Sequence, residues 1–184
     1  LNDGTWRDSK KECVLPDVML SSLKRSNPTI EEDKIKEIVK TLRQDYSGTD
    51  IVDTNYKLYR QIRNNIKITV RRNGKEDFDF VKLIDFEHPE NNTFTAVSQM
   101  WIQGKVYYRR PDILIFVNGM PIVFIELKNS IVKIEEAYNK NLQDYLRDIP
   151  NLFAFNQICV LSNGLVTKLG AFKATYDYFF EWLK

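Results

Sequence analysis

The chain has 184 residues, 27 Lys+Arg against 25 Asp+Glu, and 43% apolar residues, which fits one globular domain and excludes a disordered tail. It has no run of about 18 apolar residues and no charged segment ahead of an apolar one, so a membrane-spanning helix and a signal peptide are excluded. Two cysteines and the single histidine, His88, exclude a disulfide framework, a thiolate zinc site and chemistry built on paired histidines. No GxxxxGK[ST] or GxSxG pattern supports an ATP site or a serine nucleophile.

Low cysteine content fits a reducing, cytoplasmic setting. Leu1 stands where a Met would open a complete chain, so the sequence is read as a fragment of a longer one. Residues 1–27 form a weakly patterned N-terminal extension with a short helix around Val18–Leu23. Thr29 and Glu32 have capping-box spacing, and Ile30, Ile35, Ile38, Val39 and Leu42 recur on one face of the helix they open. A second helix follows Asp53, with Tyr56, Tyr59 and Ile62 on one side.

After Asn64 the period becomes two. Ile66, Ile68 and Val70 alternate with polar residues, Asn73-Gly74 makes a tight turn, and Phe78 and Phe80 alternate on the return, which predicts a hairpin. His88–Asn92 is a loop, and Phe94–Ile102 reads as a strand ending at Gly104. Asp112–Val117 and Ile122–Lys128 are near-continuous apolar runs separated by Asn118-Gly119-Met120-Pro121, as expected of strands buried on both faces of a covered sheet. A helix over Val132–Arg147 and a strand over Gln157–Ser162 complete a βαβ unit, which predicts parallel strands and a right-handed crossover. An aromatic-rich helix is expected over residues 171–184. The whole reads as one α/β domain, with its core at about 28–170.

The anomaly is charge within the apolar strands. Glu126 and Lys128 share one face of their strand, and Asp112 opens the neighbouring one. Asp112 lies opposite Glu126 only if opposed residue numbers sum to 238. That requires a three-residue loop, or a bulge that restores the even register, because a two-residue Asn118-Gly119 loop alone gives 237. Two carboxylates and an ammonium meeting there suit a hard divalent cation such as Mg²⁺, with Asp112 and Glu126 as oxygen ligands and Lys128 facing developing negative charge. The chemistry that fits is in-line hydrolysis of a phosphodiester. The competing reading is an ordinary Glu126–Lys128 ion pair where the strand emerges into solvent.

Several separated segments resemble one family. Leu83-Ile84-Asp85-Phe86, Asn91-Asn92, Phe94, Gln99, the stretch Arg110-Pro111-Asp112 through Asn118-Gly119-Met120-Pro121 to Glu126-Leu127-Lys128, then Glu136-Ala137-Tyr138, Ile149-Pro150 and Leu161-Ser162-Asn163-Gly164 are similar to the N-terminal nuclease domain of the type I restriction enzyme R subunit. The similarity is strongest over about residues 81–170. It implies a restriction-endonuclease-like PD-(D/E)xK fold, a mixed sheet flanked by helices, with Asp112, Glu126 and Lys128 as the catalytic triad. The family's Gln-x-x-x-Tyr motif falls on Asn141 and Tyr145, with Asn where Gln is usual. The resemblance also implies double-stranded DNA as substrate and a longer parent chain acting as an ATP-driven translocase. Its partners would be methylation and specificity subunits, with ATP and S-adenosylmethionine belonging to the full complex and not to this chain.

Cations at Arg71, Arg72 and Lys75, and at Lys105, Arg109 and Arg110 ahead of Asp112, are candidate phosphate contacts; Arg109 and Arg110 lie nearer the site. The alternative from another class is a non-catalytic nucleic-acid-binding or subunit-docking module on the same fold. An RNA-directed or exonucleolytic enzyme of that fold is a third reading.

Overall fold

The computed structural model describes residues 7–182. Helix α1 (Pro16–Ser26) starts with Pro16 in its first turn, carries Asp17 there and ends on Lys24 and Arg25, each charge placed as the helix dipole favours. Helix α2 (Glu32–Leu42) buries Ile35, Ile38, Val39 and Leu42, the stripe that the 3.6-residue period predicts. Its start differs from expectation: Glu31 is the N-cap and no side chain caps it. Glu32 is drawn instead into ion pairs with Lys24 and Lys36. Helix α3 (Ile51–Asn64) begins earlier than predicted, because the Asp50 carboxylate accepts from the amides of Val52 and Asp53. Its buried stripe is Thr54, Leu58 and Ile62, while Tyr56 and Tyr59 face solvent and do not share a face with Ile62 as expected.

Strands β1 (Ile66–Arg72) and β2 (Lys75–Val81) form the predicted hairpin in full register, closed by Asn73-Gly74 with both residues at positive φ. Their turn cation Arg72 is tied to Asp77 and Asp79.

The main sheet has six strands. Strand β3 (Phe94–Ser98) pairs antiparallel with β6 (Ile113–Val117), and β6 with β7 (Met120–Leu127). Strand β7 runs parallel to β8 (Ile158–Ser162), and β9 (Thr167–Gly170) and β10 (Phe180–Glu181) complete the sheet in antiparallel sense. The parallel β7–β8 pair is the predicted βαβ unit.

Three further expectations fail. The strand predicted over Phe94–Ile102 stops at Ser98, because Gln99 takes φ 55°. Ile102 belongs to a separate two-stranded ribbon, β4 (Ile102–Gln103) and β5 (Tyr108–Arg109). The C-terminal helix is absent among the described residues. A single 3-10 turn at Tyr176–Tyr178 leads into edge strand β10, in keeping with the strand preference of Tyr, Phe and Trp; residues 183–184 lie outside the described residues. The sheet is also covered unevenly. Leu114, Phe116, Phe124, Cys159 and Leu161 are buried on one face, whereas Ile113, Ile115, Val117 and Val160 opposite are half-buried and Ile158 is exposed. An apolar run therefore marked strands with one sealed face and one partly open.

The sealed face packs against a helical segment made of α4 (Ile134–Glu136), a π-helical turn (Ala137–Leu142) and α5 (Gln143–Asp148). Ile134, Ala137, Leu142 and Tyr145 join Leu114, Phe116, Phe124 and Phe153 in that core. A second core gathers α1, α2 and α3 around Met19, Leu23, Ile35, Leu58 and Phe155.

The residues around Asn118 have a structural role. Asn118 is fully buried, adopts φ 49°, donates to the Leu83 carbonyl and Asn92 Oδ1, and accepts from the Thr93 amide. Asn92 in turn bonds to the backbone of Asp85 at both its N–H and its carbonyl. This buried network fixes the 83–93 segment against the β6–β7 turn, at the end of the hairpin away from Asp112, Glu126 and Lys128.

Candidate active site

The β6–β7 hairpin uses the two-residue Asn118-Gly119 turn, so Val117 pairs with Met120 and Phe116 with Pro121, sums of 237. A bulge then shifts the register, and Ile115–Val123, Leu114–Phe124 and Ile113–Ile125 all sum to 238. The bulge alternative of the sequence reading is the one realised. Carried one step further, the register sets Asp112 opposite Glu126. Both lie on the sealed face, with Leu114 and Phe124.

Asp112 is held at both oxygens. Oδ1 accepts from Gln99 Nε2 at 2.8 Å and Oδ2 from the Leu127 amide at 2.8 Å, while its carbonyl accepts from the Gln99 amide. Glu126 is 2% exposed. Its Oε1 accepts from Lys128 Nζ at 3.0 Å, and its Oε2 is buried without a partner. Burial pushes the Glu126 carboxyl above the usual carboxylate range. The bond from Lys128 opposes that shift and the nearby negative charge of Asp112 adds to it. Lys128 is anchored through its amide on the Ser162 carbonyl of parallel strand β8.

Tyr145 stands behind this pair. It is buried, with its ring edge-on to Phe124 at 5.4 Å, and its hydroxyl donates to the Arg110 carbonyl at a long 3.4 Å. Burial and the negative charges of Glu126 and Asp112 push its phenol pKa up, so the hydroxyl feels both carboxylates; the Asn141 side chain acts on it in the opposite sense. The π turn places Asn141 half-buried near Tyr145, whereas Gln143 is exposed.

Of the predicted cations, Arg109 is committed to α5: it bonds to Asp148 and lies 3.3 Å from Asp144. Arg110 is exposed, with its guanidinium 5.0 Å from the Trp101 ring. Sequence reasoning singled out neither Gln99 as a partner of Asp112 nor Asp144 and Asp148 as partners of Arg109. Gln99 falls within the segments that resemble the family, and the two aspartates share an i, i+4 helix spacing. A cavity of about 450 Å³ opens beneath the β4–β5 ribbon, lined by Gly104, Lys105, Tyr107, Arg147 and Asn151 among others; none of Asp112, Glu126 and Lys128 lines it.

The described residues contain no cluster of three or more His, Cys, Asp or Glu side chains able to hold a metal. Two carboxylates do converge, and one brings a buried oxygen with no other partner, a donor set that suits Mg²⁺ with water in its remaining positions. Each Asp112 oxygen keeps a lone pair beyond the hydrogen bond it accepts.

A hydrogen-bonded aspartate, a buried glutamate and an anchored lysine thus lie together at the ends of two adjacent sheet strands on a mixed α/β fold. The chain belongs to the family described as "Type I restriction enzyme R protein N terminus", which matches residues 1–178. It is 33% identical over 173 residues to the type I restriction enzyme HindI endonuclease subunit of Haemophilus influenzae, covering 92% of this chain and 16% of that protein. It is also 33% identical over 186 residues to a putative type I restriction enzyme MjaIXP endonuclease subunit of Methanocaldococcus jannaschii, covering 96% and 17%. The chain thus spans about a sixth of the length of these curated relatives. Among the described residues no helix is long and apolar enough to cross a membrane.

Proposed function

We propose that this domain is a PD-(D/E)xK endonuclease that hydrolyses DNA phosphodiester bonds, with Asp112, Glu126 and Lys128 as its catalytic residues. The observation that carries the reading is the bulge-corrected register, which sets Asp112 opposite a Glu126 whose Oε2 is buried and unpartnered. Asp112 and Glu126 would hold Mg²⁺, which when bound supplies positive charge to offset charge developing on the phosphate. Lys128 presents an ammonium to a phosphate oxygen, and its bond to Glu126 keeps that ammonium aimed at the carboxylate pair. Gln99 and the Leu127 amide fix Asp112, so the acid needs no reorganisation when substrate arrives. Tyr145 and Asn141 support Glu126 from the helical segment, and Arg110 contacts DNA beside the site. Arg109, tied to Asp144 and Asp148, positions the ribbon that carries Arg110.

In the parent protein the domain works on double-stranded DNA in the cytoplasm, as part of a chain with an ATP-driven motor and in complex with methylation and specificity subunits. The test is plasmid nicking by the reconstituted complex with and without Mg²⁺. Cutting by wild type and none by Glu126→Ala, with the fold intact, is expected; retained cutting by that variant overturns the assignment. A second reading, a non-catalytic docking module, is favoured by the closed Glu126–Lys128 pair and by the engagement of both Asp112 oxygens. Absence of Mg²⁺-dependent cutting by the wild-type complex would establish it.

A further inference from the structure

The ribbon of β4 and β5 turns to solvent a face that the proposed cleavage chemistry does not use. Ile102 opposes Arg109 and Gln103 opposes Tyr108. Ile102 is buried in the core and Arg109 is bonded to Asp148, so that pair faces inward. Alternation then puts Trp101, Gln103, Tyr108 and Arg110 outward, with Lys10 beside them, its carbonyl accepting from the Gln103 amide. Trp101 is 41% and Tyr108 50% exposed. Each ring is matched with a cation: the Arg110 guanidinium lies 5.0 Å from the Trp101 ring, and the Lys10 ammonium 6.0 Å from the Tyr108 ring. Neither cation has a carboxylate within ion-pair distance among the described residues, whereas Arg43, Arg72, Arg109 and Arg147 all do.

We propose that this face is a stacking platform for unpaired nucleotides of single-stranded DNA, held beside the cleavage site. Exposed aromatic rings interleaved with available cations match what an unpaired strand offers, because base faces stack on rings while phosphates meet the positive charges. A duplex keeps its base faces inside its own stack, so two solvent-facing rings discriminate in favour of a splayed strand. The ribbon is also tied to the site. Gln99 just before it donates to Asp112, the Arg110 carbonyl just after it accepts from Tyr145, and Tyr108 precedes Asp112 by four residues. Four residues span at most about 13 Å, roughly four stacked steps of one strand. The inference rests on the reading of DNA as the substrate of the Asp112–Glu126–Lys128 site.

The test is fluorescence anisotropy of a labelled 12-nucleotide single strand and of the matching duplex, titrated with the full chain in EDTA at fixed salt so that nothing is cut. The single strand is expected to bind at least about tenfold more tightly than the duplex. Tyr108→Ala and Trp101→Ala should each weaken single-strand binding by about tenfold and change duplex binding less than twofold. Tyr108→Phe, which keeps the ring, should bind as wild type. Single-strand binding should quench tryptophan fluorescence, and Trp101→Phe should remove most of that quench. Equal affinity for strand and duplex, or ring removal that leaves single-strand binding unchanged, overturns the platform. Because binding is read without metal, wild-type complex that holds single strands in this way yet never cuts DNA sinks the nuclease reading alone. Cutting without single-strand preference sinks the platform alone.

Discussion

The Asp112 carboxylate accepts a hydrogen bond from the backbone amide of Leu127 at 2.8 Å, so an acid on one strand is pinned to the peptide between Glu126 and Lys128 on the next. Strand pairing and acid placement are thereby one geometric fact, and Asp112 cannot move without disturbing the end of β7.

Magnesium binding should follow from that convergence. Saturating Mg²⁺ is expected to raise the melting temperature of the wild-type chain, since an ion that binds only the folded state at about a hundred times its Kd adds about 2.7 kcal/mol. Glu126→Gln keeps the shape but loses the charge and turns one acceptor oxygen into a donor, and should show no such rise. In the reconstituted complex the same variant should cut DNA about a thousandfold more slowly or worse. An unchanged Mg²⁺-dependent shift in Glu126→Gln, measured by differential scanning fluorimetry, would remove Glu126 from the ligand set.

Gly119 should be far less replaceable than Gly74, although both have φ near +78°. A Cβ on Gly119 would lie 2.5 Å from the Leu15 carbonyl oxygen and 2.8 Å from the Met19 amide, while nothing lies within 4 Å of one on Gly74. Gly74→Ala pays only the left-handed backbone penalty, about 1 kcal/mol. Gly119→Ala adds a backbone clash and strains the bond from the Leu15 amide to its carbonyl, for about 2–4 kcal/mol in total. At about 2–4 °C per kcal/mol for a chain of this size, thermal melts should separate the two variants clearly. Equal melting temperatures would mean that α1 is not docked on the β6–β7 turn.

Alternation and turn chemistry made much of this site legible in the sequence. Parity alone required a bulge or a longer loop to bring Asp112 opposite Glu126, and the chain carries the bulge between Ile115 and Phe116 on one strand and their partners on the other. Where the reading went astray, tertiary context outweighed local pattern. Gln99 has no left-handed signature, yet it takes positive φ because its amide and side chain both bond Asp112. Tyr176–Trp182 holds aromatic spacing compatible with a helix, but its backbone completes an open sheet edge on β9. Ile113 and Ile115 look as apolar as Leu114 and Phe116, and hydrophobicity alone does not tell a sealed face from a half-open one.

Acid sensitivity should trace in part to Asp148. Hydrogen bonds from Arg147, and then from Arg109, hold this buried carboxylate below its ordinary value near 4, against a burial effect that acts the other way. The sign follows from the depressed folded value: the contribution is full above the unfolded pKa and is lost as pH falls through the folded one. Asp148→Asn should therefore lose about 2 kcal/mol at pH 7 and show a shallower stability decline between pH 4 and pH 2 than wild type. Chemical denaturation across that range reads both quantities. Parallel acid limbs in the two proteins would dismiss the Arg109–Asp148–Arg147 cluster as a source of stability.

Tyr145 separates the work of a ring from that of a hydroxyl. Its ring fills the core against Phe124, so Tyr145→Ala leaves a cavity and should cost about 3–5 kcal/mol. Among the described residues the hydroxyl's one close partner is the Arg110 carbonyl, at a long 3.4 Å, and Tyr145→Phe should cost less than about 1 kcal/mol. That same hydroxyl stands in the field of Glu126 and Asp112, where it can steady a carboxylate that burial disfavours as an anion. Cleavage by the reconstituted complex carrying Tyr145→Phe is therefore expected to fall about tenfold while its melting temperature stays within about 3 °C of wild type. Wild-type cutting rates in that variant would reduce Tyr145 to a packing residue and leave Glu126 supported by Lys128 alone.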